Sequence, residues 1–115
     1  MSVFRFTSAP HTAFCSSHID AVQLVFTNSS SNDFDLLIQG FNGTGLFFLG
    51  LTHLEAASSP LSVYQTADIP THAVSFELLL VTNVECATTA SVLLFAKQKG
   101  QTVAIATNAD FEIGG

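Results

Sequence analysis

Apolar residues in this chain recur at every second position, and no stretch long enough for a helix keeps a 3-4-3 apolar stripe with capping residues at its ends. A period of two is the period of a strand, so the sequence predicts a nearly all-β protein. The first strand is expected at Ser2–Thr7, with Val3 and either Phe4 or Phe6 inward, ended by Ala9-Pro10 because proline cannot donate to a ladder. Ile19–Thr27 follows with Val22, Leu24 and Phe26 on one face. The run from Asn28 to Asp33 is a polar loop whose short side chains bond their own backbone.

Phe34–Gly40 and Thr44–Leu51 form a hairpin in which Asn42-Gly43 supplies the positive φ angles of a type I′ turn. Leu54–Ser59 is expected to make a helical turn before Pro60, Leu61–Thr66 a half-buried strand closed by Ile69-Pro70, and His72–Thr82 the longest strand. Val74, Phe76, Leu78 and Leu80 would share one face of it, with Ser75, Glu77, Leu79 and Val81 on the other. Thr89–Lys97 and Gln101–Thr107 form a second hairpin around Gln98-Lys99-Gly100, and Asp110–Ile113 adds a short last strand. About eight short strands separated by turn signals predict one domain over residues 1–115, a two-sheet antiparallel β-sandwich of jelly-roll or immunoglobulin-like type.

Several strands are apolar on both faces: Phe47-Phe48-Leu49, Leu78-Leu79-Leu80-Val81 and Val92-Leu93-Leu94-Phe95. A sandwich dries only its inner faces, so these runs need a covering loop or a neighbouring subunit. Composition favours the subunit. Charged residues are 10% of the chain, while 12 Ser and 12 Thr take the places that Lys and Glu usually fill. Short polar side chains lose little rotamer entropy when packed against a neighbour. Phe4, Phe6, Phe48, Leu79, Val81, Phe95 and Phe111 are the candidate interface residues, and the terminal segments Met1–Thr7 and Asn108–Gly115 are candidates to reach across to neighbours.

The same charge count excludes other partners. With 3 Lys+Arg against 9 Asp+Glu, the chain carries a net charge of −6 and its cations, Arg5, Lys97 and Lys99, cannot neutralise the phosphates of a nucleic-acid site. Neither an anionic lipid surface nor a membrane-length apolar run is served by this sequence. The first residues hold no apolar stretch behind a basic one, so no secretory leader is expected. Asn28-Ser29-Ser30 and Asn42-Gly43-Thr44, which match the glycosylation acceptor pattern, read as turns. Cys15 and Cys86 read as reduced, buried small residues, with a disulfide as the alternative.

No motif supplies chemistry. Cys15-x-x-His18 has ligand-like spacing with His11 nearby, yet a fourth ligand is missing, unless a trimer brings three copies of one His to an axis. Ser, His and carboxylates are present without the local setting of a catalytic nucleophile. Asp33 and Asp35 could share one strand face for calcium or acid/base work but fit better as turn caps. Gly40–Gly45 lacks the Lys of a phosphate loop. With no Trp and only Tyr64, a sugar platform is not favoured, although the Asn28–Asp35 loop could bind a sugar without one.

The expectation is therefore a structural protein without enzymatic activity, cofactor or metal. Its most concrete form is a capsid cement or decoration subunit of a virus or phage. Such a subunit would associate with itself and with other shell proteins, and would reside in the virion after synthesis in the host cytoplasm. The alternative is a cytoplasmic, lectin-like ligand-binding module.

Overall fold

The computed structural model describes residues 2–9, 13–83 and 90–114. Strands β1 (Ser2–Thr7), β2 (Ala21–Asn28), β3 (Phe34–Asn42), β4 (Gly45–Leu54) and β5 (Val63–Gln65) are followed by β6 (Ile69–Pro70), β7 (Phe76–Thr82), β8 (Ala90–Gln98), β9 (Gln101–Ala106) and β10 (Glu112–Gly114). They form two packed antiparallel sheets, as the period-two pattern predicts. The first runs β10-β1-β7-β3-β4, and the second β5-β2-β8-β9 with β6 also on β2. Only the β3-β4 and β8-β9 connections stay within a path of neighbours as tight hairpins. No described segment forms an α-helix; the irregular stretches hold short 3₁₀ turns at Ser16–His18, Pro60–Ser62 and Asn108–Asp110.

Each long strand sends alternate residues into the space between the sheets. Phe4 and Phe6 from β1, Val22, Leu24 and Phe26 from β2, Leu36 and Ile38 from β3, Leu78 and Leu80 from β7, and Val92 and Leu94 from β8 are all buried. Burying side chains of this size contributes roughly 1.5–3 kcal/mol each before the opposing entropy is counted. Phenylalanine dominates the packing. Phe6 touches Phe14, Phe76 and Phe111, and Phe4 meets Phe26 edge-on with centroids 5.5 Å apart. Such ring pairs need no polar partner, which suits a core without Trp.

The inward side of β1 differs from expectation. Phe4 and Phe6, two apart on one face, both point inward, and Val3 lies half-buried on the outer face. The β7 strand begins at Phe76, not His72, because His72 and Ala73 have φ of 58° and 56° and close a turn in which the Val74 N–H donates to the Thr71 carbonyl. The first hairpin also turns differently. Its positive φ, 117°, falls on Gly45, and the Asn42 side chain accepts hydrogen bonds from the Thr44 N–H and hydroxyl. The paired positive φ values of a type I′ turn occur in the second hairpin, at Lys99 (53°) and Gly100 (80°).

The segment before β5 shows the largest departure. Leu54 closes β4, and a 3₁₀ turn capped by the Ser59 hydroxyl takes Pro60–Ser62, leaving only Val63–Gln65 as strand. Here the polar side of the alternation faces in. Ser62 and Thr66 are buried, and the Thr66 hydroxyl accepts the Leu24 N–H at 2.9 Å, whereas Leu61 and Val63 face solvent.

Candidate functional site

The outer faces carry the feature that most needs explaining. On the first sheet the register aligns Val3, Val81, Leu37 and Leu51 in one row across four strands, with Leu79 and Leu49 flanking it. On the second sheet it aligns Val63 with Thr27, Val25 with Leu93, and Phe95 with Ile105. Leu49, Leu51, Leu93 and Ile105 are 60%, 76%, 39% and 53% exposed, so much of each stripe meets water. Charge is sparse on these faces: on the first, Arg5, opposite Leu79, pairs with Glu77 of the central strand at 3.3 Å, and at one end of the second Lys97 pairs with Asp68 at 2.7 Å.

The candidate interface residues divide accordingly. Leu79, Val81 and Phe95 lie half-buried on outer faces. Phe4, Phe6 and Phe111 are core residues, buried to 0%, 1% and 7% exposure, and are not surface groups in this fold. Phe48 is not an outer-face residue either: partly buried, it packs against the core, as does Phe47. The cause is a β-bulge. Gly40 pairs with Phe48 and Phe41 with Leu46, which leaves Phe47 as an extra residue on β4 and lets two consecutive rings reach inward. Phe47 lies over Gly40, where a Cβ would stand only 2.9 Å from its ring, and meets Phe76 edge-on.

One polar cluster was not legible as such. His53 on β4 faces Asp35 on β3, and its Nδ1 lies 2.7 Å from the Asp35 carboxylate while Nε2 lies 3.2 Å from that of Asp33. Asp33 also accepts the Ala56 N–H, which ties the loop after β4 to the loop before β3. The hydrogen bond to Asp35, then that to Asp33, raise the His53 pKa above its ordinary 6.5, against a small loss of hydration. The two carboxylates do converge, as their spacing suggested, but on a histidine. With both ring nitrogens held by carboxylates, His53 has none left to activate a hydroxyl.

The remaining motifs are structural. Cys15 precedes the first 3₁₀ turn and His18 is its last residue; Cys15 is half-buried and not buried as expected, with its sulfur 3.2 Å from the Ser17 hydroxyl, while His11 and Cys86 lie outside the described residues. Among the described residues no group of three or more His, Cys, Asp or Glu is placed to hold a metal ion. The buried Asn28 amide donates to the Asn32 and Glu55 carbonyls, and its oxygen accepts from the Ser30 N–H and hydroxyl. That side chain fastens the Asn28–Asp35 loop and is not available to a sugar. Tyr64 packs against the core. Among the described residues the depressions are open to solvent, from about 170 Å³ beside Asp35, Leu37, Leu51 and Val81 to about 360 Å³ beside Val3, Arg5 and Ile113. No described helix is long and apolar enough to cross a membrane. The chain matches no protein-family model, no curated protein and no solved structure.

Proposed function

We propose that this protein is a structural subunit that works by adhesion: it buries the charge-poor outer surfaces of its sandwich against copies of itself and against other proteins of a shell. The observation that carries this reading is the cross-strand apolar row Val3, Val81, Leu37 and Leu51, flanked by the exposed Leu49, with a second stripe on the opposite sheet. Contiguous apolar surface of this kind is uncommon on proteins that remain alone in water and marks contact surfaces. The low charge supports it from a second direction. Desolvating Ser, Thr and Leu at a contact costs far less than desolvating Lys or Glu.

A virion or phage particle, with this chain as a cement or decoration subunit, is the setting that fits such a composition. The mechanism requires no turnover. Each contact would stabilise the shell in proportion to the apolar area withdrawn from water, at roughly 25 cal/mol per Å² before the costs of association.

The test uses three single variants, Leu49→Asp and Leu79→Asp on the first sheet and Leu93→Asp on the second. All three should keep the far-ultraviolet spectrum of the folded wild type, and at least one should lose its self-association by light scattering. Unchanged association in all three contradicts the reading, as does a wild type that never associates.

A further inference from the structure

We infer that the outer edge of β4 pairs antiparallel with β4 of a second copy, joining two first sheets into one continuous sheet; this deepens the assembly reading above and rests on it. Among the described residues β4 ends its sheet, with no strand beyond it. Its ten residues, GLFFLGLTHL, include no Lys, Arg, Asp, Glu or Pro. Edge strands carry unpaired backbone donors and acceptors, and proteins that must stay apart shorten, bulge or charge them. The other edges of this molecule are treated that way. β5 and β10 are three residues each, β10 carries Glu112, and six-residue β9 is bulged against β8. On β4 the single irregularity lies at Phe47, so Phe48–Leu54 runs in regular register along Phe34–Gly40 of β3.

Three observations select a second copy as the occupant. First, the straight stretch is uncharged apart from His53, whose cluster with Asp33 and Asp35 is net negative but stands toward the Leu54 end, so the middle of the edge around Leu51 carries no charge to draw a charged partner or to repel its own copy. Second, the stretch is centred on Leu51, which is 76% exposed; a twofold axis near Leu51 sets this side chain against its own copy and closes the contact. Leu61, also exposed, is tied to the end of this strand, its carbonyl accepting the Glu55 N–H just beyond β4. Third, the length suffices: seven residues in regular register span about 24 Å, more than the roughly 17–20 Å of a typical strand.

Amide exchange followed by mass spectrometry at low and high micromolar concentration tests the pairing directly, because backbone pairing protects β4 amides and face-on packing does not. The expected result is that peptides covering 48–54 exchange about fivefold more slowly at high concentration. Leu51→Lys and Leu49→Lys, both changes at exposed side chains, should abolish that protection and sediment at 12.2 kDa. Leu93→Lys, on the other sheet, should leave the protection in place. A wild type that associates while 48–54 stays unprotected, or in which Leu51→Lys still associates, overturns the pairing and leaves the assembly reading standing. A head-to-tail β4-β9 contact, seen as protection of both strands and open filaments, overturns the twofold pairing alone. A wild type at 12.2 kDa throughout, with no concentration-dependent protection, overturns both.

Discussion

His53 shows how a single exposed side chain ties two loops to one hairpin. Its imidazolium is favoured by Asp35 and then Asp33, so the folded-state pKa lies above the unfolded 6.5. A histidine raised in this way contributes stability that is fully present below about pH 6.5 and is lost as pH rises through the folded pKa. The deficit in Tm of His53→Gln relative to wild type should therefore be larger at acid pH than at alkaline pH. In a proton NMR titration the His53 ring should titrate above 6.5, and Asp35→Asn should bring it down more than Asp33→Asn. A second residue-scale prediction concerns strain. Ala73 holds a left-handed backbone at φ 56°, which costs an L-residue with a Cβ roughly 1–2 kcal/mol. Ala73→Gly should relieve part of it, a gain of about 1 kcal/mol that raises Tm by about 4 °C.

At the scale of elements, the bulge on β4 decides more than its size suggests. Were Phe47 paired with Gly40 instead of bulged out, the register from the Asn42–Gly45 turn would set Asp35 opposite Thr52, and His53 would face the other way. Alternation finds the strands, since β1, the two hairpins and β8 fall close to where the period-two pattern puts them. It cannot find a bulge, because the inserted residue is itself apolar and preserves the appearance of a continuous strand. For the same reason Phe48 reads as outward in the sequence and packs inward in the fold, and the His53 cluster stays hidden although Asp33 and Asp35 draw notice. The left-handed turn at His72-Ala73 was also illegible, since neither residue signals positive φ in the way Gly or Asn does. The Ser62 and Thr66 side of the next segment faces inward because a hydroxyl there satisfies a backbone donor, a tertiary partner that local pattern does not carry. The bulge itself can be tested. Gly40→Ala drives a methyl into the Phe47 ring and should cost about 1 kcal/mol or more in denaturant unfolding. Gly40→Ala made in a Phe47→Leu background should cost clearly less, the difference reporting the coupling between the two residues.

At the scale of the whole molecule, the sandwich is ordinary inside and unusual outside. The core is filled by one face of each strand, as the alternation requires, and the two-sided apolar runs resolve into an inner set that folds the chain and an outer set that remains on the surface. Leu78 and Leu80 belong to the first, Leu79 and Val81 to the second. The outer set, the small polar residues around it and the uncharged β4 edge give a surface suited to contact, and contact is the activity proposed for this chain. The most direct measurement is the mass of the wild-type protein by sedimentation equilibrium across a micromolar dilution series. The account predicts a mass that climbs with concentration from 12.2 kDa to at least twice that value. A single 12.2 kDa species at every concentration would contradict it.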